Sequence, residues 1–301
     1  MANQREIHRH IKSVKNIQQI TKAMKMVAAA RLRRAQEKAA SSRPFADKVK
    51  ELLLTAVSDP KMMSRLNIDE HPLLCERPVK KIAYIVVTSD KGLAGAYNAN
   101  LLKHAVVELM DKDSYTLITV GRKAKEFFKR RGFSIHESFF GFSDKPTYND
   151  ADDVARAAEE LFVSGAVDEV LLIYTQFKSA LSFTPVIKRL LPVKPPVAEP
   201  VANLYAYEGE NADESVSEVI FEPKAEETLK YLVPYYVRTV TYAAIMQAAA
   251  SELGARMTAM SSATDNANDL LNKLEVSYNK ARQAGITNEI NEIVGGAEAL
   301  Q

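Results

Sequence analysis

The sequence predicts a protein of the α/β class in which a central domain with a mainly parallel sheet is flanked by two long helices. Three observations carry this prediction. A helical pattern with an apolar stripe fills residues 1–57, strands alternate with helices in residues 78–210, and a second long helical pattern fills residues 223–301. We take these three ranges as the predicted domains of the chain.

The first helix is predicted from composition and spacing. Residues 3–57 contain no Gly and one Pro, Pro44, which is expected to kink the helix or to begin a second one. Ala, Lys, Arg, Gln and Glu, all favourable in helices, dominate the segment. Its apolar stripe steps by three or four residues through Ile7, Ile11, Val14, Ile17, Thr21, Met24, Ala28, Leu32 and Ala35. A mean spacing of about 3.5 residues predicts a coiled-coil seam.

The middle of the chain alternates between short apolar runs and helical segments. The predicted strands are 82–88, 115–120, 168–177 and, as a further candidate, 183–191, and the predicted helices are 100–111, 122–131 and 150–164. Such alternation predicts a Rossmann-like domain whose sheet is mainly parallel. The Pro-rich segment 192–200 is expected to be extended and to connect or edge the sheet.

The last helix carries a seam of its own. Pro234 is expected to break or kink it. From Tyr236 to Gly285 the seam positions alternate in steps of three and four, and Thr239 and Thr264 are the only polar residues among them. Each terminal helix is the obvious partner of the other, so we expect them to form a long antiparallel coiled coil.

Positive charge is concentrated at the amino-terminal end. Residues 1–50 hold 13 Lys and Arg, including Arg9, Lys12 and Lys25, against three acids. Such an excess favours an anionic partner. By composition alone it fits a solvated face, a nucleic-acid surface, or a site for a protein with acidic loops. No aromatic residue precedes Phe45, so base stacking is missing, and we expect no nucleic-acid partner.

Catalytic and metal-binding motifs are absent from the sequence. It contains no Walker loop, no H-E-x-x-H and no G-x-S-x-G, and its five His have no zinc spacing. We therefore expect no cofactor, no metal and no catalytic residue. Cys75 is the single cysteine, which excludes an intramolecular disulfide. No run approaches the ~18 apolar residues of a membrane span, and we interpret the basic amino terminus as mature structure, not as a transit peptide.

Two short segments have alternative interpretations. Gly92 and Gly95 follow a predicted strand, where they favour a tight turn, with an anion at the following helix as the alternative. Asp150, Asp152 and Asp153 favour capping of a helix, with a metal site as the alternative.

Three separated segments together carry a family resemblance. Residues 11–36 read IKSVKNIQQITKAMKMVAAARLRRAQ, residues 89–98 read SDKGLAGAYN, and residues 278–297 read YNKARQAGITNEINEIVGGA. They resemble, in the expected order, the amino-terminal helix, the central turn and the carboxy-terminal signature of the gamma subunit of F-type ATP synthase. The similarity extends from residue 2 to residue 300.

The resemblance implies a rotor subunit that is not an enzyme by itself. Its coiled coil would insert into the ring of alternating alpha and beta subunits, and its α/β domain would join the epsilon subunit and the membrane c-ring. Rotation of the c-ring would drive ATP synthesis at the beta subunits, or ATP hydrolysis would drive proton pumping in reverse. The implied location is the cytoplasmic face of the bacterial plasma membrane, peripheral to it through the complex.

The resemblance also implies residue roles. Met24 and Lys25 fall in the coupling segment, although Met24 also lies on the seam, where core packing is the alternative. The full set of implied partner contacts is Arg9, Lys12, Met24, Lys25, Arg256, Arg282, Gln283, Thr287 and Glu289, with Glu222 as a foot contact. Phe221 stands where the family has Tyr, which removes a hydroxyl from the foot. With Cys75 alone, the redox pair of the chloroplast form is excluded.

Two rival functions remain at this point. The first is a free enzyme built on the α/β domain, with a ligand at Gly92–Asn98. The second is a coiled-coil scaffold or nucleic-acid binder that uses the basic helix. The function of a simple scaffold does not explain the segment GITNEINEIVGGA near the end of the sequence.

Overall fold

Five strands and five α-helices make up the part of the chain that the computed structural model describes, which is residues 4–58, 71–110, 114–180, 182–193 and 225–298. In chain order they are α1 (Gln4–Ser58), β1 (Ile82–Val87), α2 (Tyr97–Met110), β2 (Tyr115–Val120), α3 (Arg122–Arg130), β3 (Ile135–Phe139), α4 (Tyr148–Val163), β4 (Glu169–Ser179), β5 (Ser182–Leu191) and α5 (Ala225–Glu298), with a short 3-10 helix at Pro72–Leu74. The chain packs as two units, one formed by residues 1–29 with 256–301 and the other by residues 30–255.

The sheet of the second unit has the strand order β3-β2-β1-β4-β5. The pairings among β3, β2, β1 and β4 are parallel, and β5 runs antiparallel to β4. The prediction of a mainly parallel sheet is therefore confirmed. Sequence reasoning missed β3, because Ile135–Phe139 reads IHESF and lacks a continuous apolar run. A strand at the edge of a sheet is covered on fewer sides and needs fewer apolar residues.

Both faces of the sheet are covered. Along β1, Ala83, Ile85 and Val87 point to one face and Ile82, Tyr84 and Val86 to the other, as a period of two requires. The first face packs on α4, α5 and Leu53 of α1, and the second on α2 and α3. A sheet covered on both faces explains why all six residues of β1 are buried.

Within this unit α5 is buried nearly all round. Every residue from Thr241 to Ala255 is buried except Gln247, which is half-buried. Ile245 and Ala248 pack into the cluster that covers the sheet, and Leu253 packs on Leu32 of α1. The seam positions here are thus inside, as predicted, but so are the positions between them, because the helix has neighbours on more than one side.

The two prolines do not divide their helices. Pro44 lies inside α1 and Pro234 inside α5, so the expected break at Pro234 is wrong. Proline removes one backbone donor from a helix. At Pro234 the buried side chains of Val233 and Val237 pack into the core on either side, which stabilises the helix through this position.

The first unit is an antiparallel pair of helices. His8 lies beside Tyr278, with ring centroids 5.9 Å apart, and the Thr264 hydroxyl is 2.9 Å from the Thr21 hydroxyl. The Lys25 ammonium donates to Ser261 at 2.9 Å. Each step forward along α1 is thus matched by an equal step back along α5, which confirms the antiparallel coiled coil.

The seam of α5 in this unit follows the predicted positions. The residues that are buried or half-buried there include Met257, Met260, Thr264, Ala267, Leu271, Leu274, Tyr278, Ala281 and Gly285. On α1 one predicted position is wrong: Ile17 is 50% exposed, and Gln18 takes the seam position and donates to Asn268. Between Val14 and Thr21 the seam can pass through Ile17, by steps of three and four, or through Gln18, by steps of four and three. The structure uses Gln18, which pairs with Asn268.

A group of charged side chains joins α4 to α5 in the second unit. Arg238 Nε lies 3.0 Å from Asp152 Oδ1, and Arg238 Nη2 lies 3.8 Å from Glu159 Oε2. Arg156 also pairs with Asp152, at 2.8 Å. Burial raises the pKa of Glu159 above its ordinary value, although Arg238 opposes this shift. Asp152 adds to the rise, because like charges disfavour ionisation.

The acidic cluster at the start of α4 has separate roles. Thr147 and Asp150 form a capping box, in which the Thr147 amide donates to the Asp150 carboxylate at 2.7 Å. The capping interpretation is therefore confirmed for Asp150. Asp152 makes the ion pairs described above, and Asp153 is exposed.

Gly121 is required where the ends of β1 and β2 meet. Its φ of 93° lies in the left-handed region, and a Cβ at this position would stand 2.4 Å from the Thr88 carbonyl oxygen. The Thr88 hydroxyl accepts from the Ala124 amide at 2.8 Å, which holds the first turn of α3 against β1. The close approach at Gly121 therefore sets the place where α3 begins.

Gly121→Ala is expected to lower the free energy of unfolding by roughly 2–4 kcal/mol, because strain at positive φ and overpacking against Thr88 add together. Gly132→Ala is the matched control: its φ is 77°, but no atom lies within 4 Å of the added Cβ. Urea unfolding of the full chain measures both variants. Equal losses in the two would contradict the steric argument.

Glu159→Gln is expected to raise the free energy of unfolding at pH 7 relative to the unsubstituted chain, and the difference should vanish near pH 4. A carboxyl whose pKa is raised in the folded state contributes stability below its unfolded pKa, and this is lost as the pH rises through the folded pKa. Unfolding measured between pH 4 and pH 8 tests this expectation. The exposed Glu160→Gln on the same helix is the control; a flat difference across this range would refute the prediction for Glu159.

Candidate functional site

The carboxyl end of the sheet is where open α/β folds place ligands. Here the turn after β1 is occupied by the protein itself. Asp90 Oδ2 accepts from the amides of Gly141 and Ser143 at 2.8 and 3.1 Å, and Asp90 Oδ1 accepts from the Arg122 amide at 3.1 Å. The Asp90 carboxylate thus binds amides that could otherwise hold an anion, including the amide of Arg122, the first residue of α3.

The space at this end of the sheet is also filled. Ile245, Ala248 and Ala249 of α5 line it, and the remaining cavity of about 10 Å³ holds one water molecule at most. Tyr97 is buried beside it and donates its hydroxyl to the Ala248 carbonyl at 3.1 Å. This geometry supports the turn interpretation of Gly92–Asn98 and leaves no room for a nucleotide.

The same turn is tied to α1 within the second unit. Asp144 accepts from Arg31 of α1 at 2.7 Å, and it also pairs with Lys91 of the turn. Only 17% of the Asp144 side chain is exposed, so these charges interact in surroundings less polar than water. Lys91 of the segment SDKGLAGAYN therefore has a structural role in this fold.

The outer surface of the coiled coil in the first unit is the second candidate site. It exposes many large apolar side chains that do not belong to the seam: Ile17, Ile20, Met26 and Val27 on α1, and Leu270, Val276, Ile286, Ile290, Ile293 and Val294 on α5. Each is between 46% and 72% exposed. Single exposed apolar residues are normal, but a series along both helices marks an interaction surface. Sequence reasoning identified the seam but missed this set of exposed residues. Their signal in the sequence is that they are apolar and lie off the seam.

The basic residues predicted on α1 lie at this surface. Arg9 and Lys12 are exposed, and Arg9 lines a shallow groove with His8 and Tyr278. Lys25 is exposed and directed to Ser261. Met24 is half-buried on the seam, which supports core packing for part of its side chain and leaves part of it accessible.

The residues predicted near the end of α5 are also exposed. Arg282, Gln283, Thr287 and Glu289 lie within two turns of one another. The Thr287 hydroxyl donates to the Gln283 carbonyl at 3.0 Å, so it is engaged inside the helix. Arg256 differs from them, since only 7% of it is exposed. Glu222 and the foot segment 221–223 lie outside the described residues.

In the described ranges, no three His, Cys, Asp or Glu side chains are grouped so as to hold a metal ion. No helix in that same part of the chain has an apolar stretch long enough to cross a bilayer.

Comparisons with known proteins assign the family. The family model described as ATP synthase matches residues 3–300. The chain is 46% identical to the ATP synthase gamma chain of Brevibacillus brevis over 299 residues, with 98% of each chain covered. It is also 46% identical to that of Desulforamulus reducens over 301 residues, with both chains covered in full.

Solved structures agree. A chain of the central stalk and c-ring structure of the Tetrahymena thermophila mitochondrial ATP synthase is 26% identical, with a TM-score of 0.60, over 81% of this chain and 99% of that one. A chain of the Euglena gracilis enzyme, 18% identical, shares the fold with a TM-score of 0.65 over 99% and 94%. The chain belongs to the gamma chain family of ATP synthase, whose members are the central-stalk rotor subunits of that enzyme.

Proposed function

We propose that this rotor subunit transmits rotation of the membrane c-ring to the catalytic sites of the alpha/beta ring, and that ATP is made or hydrolysed there and not on this chain. The series of exposed apolar side chains on both helices of the coiled coil carries the proposal. Such a surface is unfavourable in water and favourable inside a ring of other subunits. The basic residues of α1 suit acidic loops of such a ring.

The coiled coil can act on catalytic sites because it presents a different surface in each direction. One side carries Lys25 beside Ser261, and other sides carry Ile20 and Val27 or the exposed residues of α5. Three like sites around it therefore meet different side chains at any moment. A contact that differs in free energy between two conformations of a site shifts their populations. Rotation then moves each site through the same series of states.

Specific residues have proposed roles in this contact. We place Arg9, Lys12, Met24 and Lys25 on α1 against the ring, with the cations directed at acidic loops. On α5 we place Arg282, Gln283, Thr287 and Glu289 in the same contact. Arg256 is buried, so its proposed role is to position the helix at the start of the contact region.

Polar pairs across the seam support a role under torque. Thr21 with Thr264, Gln18 with Asn268 and Lys25 with Ser261 each join α1 to α5. An apolar seam alone permits slippage by a heptad, whereas polar partners specify one register. A fixed register keeps the outer surface the same from one turn of the rotor to the next.

The remaining partners follow from the family. We propose that the epsilon subunit and the c-ring bind the α/β domain and the foot around Glu222. The relatives from Brevibacillus brevis and Desulforamulus reducens, at 46% identity, are bacterial, which supports a location at the cytoplasmic face of a bacterial plasma membrane, held there through the complex. The three-part division at 1–57, 78–210 and 223–301 stays a prediction.

Reconstitution with matching alpha and beta subunits tests the main proposal. ATP hydrolysis is expected to be azide-sensitive and much faster when this chain is present, and the three kinds of subunit should elute as one complex. Competent alpha and beta subunits that neither assemble with the chain nor change their turnover would overturn it.

The exposed apolar residues are tested by Ile20→Gln with Val27→Gln. Burying a large aliphatic side chain stabilises by about 1.5–3 kcal/mol, so we expect this double variant to bind the alpha/beta ring on the order of a hundredfold more weakly. The change should leave the thermal unfolding of the free chain nearly unaltered.

The matched control is Val107→Gln with Met110→Gln, which are 57% and 78% exposed on α2. Binding measured by sedimentation or by surface plasmon resonance should be unchanged in this control. Equal weakening in both double variants would mean that exposed apolar area in general, and not the coiled coil, sets the affinity.

A further inference from the structure

Helix α3 carries a dense group of cations outside the coiled-coil surface that is proposed to contact the alpha/beta ring. The α3 basic surface consists of Arg122, Lys123, Lys125, Lys129, Arg130 and Arg131, with Glu126 as the single acid in this stretch. Lys123 and Arg130 lie 3.5 and 3.7 Å from that carboxylate. One carboxylate cannot neutralise six cations, so the surface keeps a formal excess of five positive charges.

The position of the charges is not explained by folding of the helix. Cations at the end of a helix interact favourably with its dipole, which accounts for Lys129 and Arg130 in the last turn. Arg122, Lys123 and Lys125 lie in the first turn or just after it, where the dipole repels cations and where the helix has no acidic residue. Asp90, which binds the Arg122 amide, offsets part of this repulsion.

Aromatic rings fix several of these cations in place. The Arg122 guanidinium and the Lys125 ammonium lie 5.6 and 4.7 Å from the centre of the Phe140 ring. The Arg131 guanidinium lies 3.7 Å from the centre of the Phe127 ring. Side chains that are already ordered lose less conformational entropy when they bind a partner.

The helix below these charges is rigidly held. Ala124 and Phe128 are fully buried against the sheet, and Phe128 stacks edge-on against Phe133. The Ala124 amide donates to the Thr88 hydroxyl at 2.8 Å. The packing of α3 on the sheet therefore fixes the backbone positions from which these cations extend.

The form of the surface selects among anionic partners. Insertion into a bilayer needs an exposed apolar wedge, but Phe128 faces the sheet, and Phe140, which is 45% exposed, has two cations beside its ring. Stacking of single-stranded nucleic acid needs free aromatic faces, and the rings of Phe127 and Phe140 each have a cation over one face. The guanidinium groups of Arg122 and Arg131, which lie over aromatic rings, suit carboxylates, which arginine binds in a bidentate manner.

We propose that the α3 basic surface is a docking site for a carboxylate-rich surface of a partner protein. The site lies in the α/β unit and shares no residue with the coiled-coil contacts, so it goes beyond the proposed contact with the alpha/beta ring.

The test uses the full chain, poly-L-glutamate as the probe, and a matched pair of triple variants. Arg122→Gln with Lys125→Gln and Lys129→Gln removes three charges from the surface. Lys103→Gln with Lys145→Gln and Lys178→Gln removes three exposed charges elsewhere in the same unit. Both variants keep the basic residues of α1, so any binding there is a common background.

We expect the α3 variant to bind poly-L-glutamate about tenfold more weakly than the unsubstituted chain at moderate salt, with a smaller salt dependence. The control variant should bind as the unsubstituted chain does. Hydrogen exchange should show protection by the probe in residues 122–131, and thermal unfolding of both variants should stay unchanged.

Three results would overturn the proposal. Equal weakening in the two triple variants would mean that overall charge attracts the probe. Unchanged binding in the α3 variant would place the probe elsewhere. Binding of vesicles rich in phosphatidylserine through the α3 surface, without binding of poly-L-glutamate, would assign the surface to a membrane.

Discussion

The burial of α5 between Thr241 and Ala255 is the constraint on which the α/β unit depends. In this stretch the helix covers one face of the sheet through Ile245 and Ala248, and it packs on α1 through Leu253. A helix with neighbours on several sides must be apolar or small nearly all round. The run TYAAIMQAAASELGA satisfies this requirement, and at Gly254 an added Cβ would lie 3.4 Å from the Ala180 carbonyl oxygen. The same stretch fills the crevice at the carboxyl end of the sheet, so packing of the core and loss of a ligand site have one cause.

Beyond Arg256 the same helix has only α1 as its neighbour within the first unit, and its pattern changes accordingly. Burial narrows to every third or fourth residue from Thr264 to Gly285. The apolar side chains that remain off this seam, such as Val276 and Ile293, have no covering element in this unit. A chain that exposes them along its length is completed by other subunits, which is the physical basis of the proposed contact with the alpha/beta ring.

Much of this organisation could be predicted from the sequence, because it rests on periodicity. The seam of α5, the buried run of β1 and the capping role of Asp150 were all readable from spacing and residue type. Predictions failed where tertiary contacts determine the conformation or the burial of a residue. Ile17 and Gln18 fit the seam equally well until Asn268 is placed opposite, and β3 has too few apolar residues to be recognised. Of the break or kink expected at Pro234, the break is wrong, because buried neighbours keep the helix continuous. The roles of the coupling residues came from resemblance, since exposure alone does not say which partner a side chain meets.

The position of Asp90 has a consequence for regulation. In a domain that binds a nucleotide, stability rises with the concentration of that ligand, because binding to the folded state shifts the unfolding equilibrium. Here one carboxylate of the chain takes the three amides at that place. The α/β unit therefore carries its own permanent substitute for an anion. The three amides at this place are paired by the chain itself, so they stay paired whether or not a phosphate compound is present.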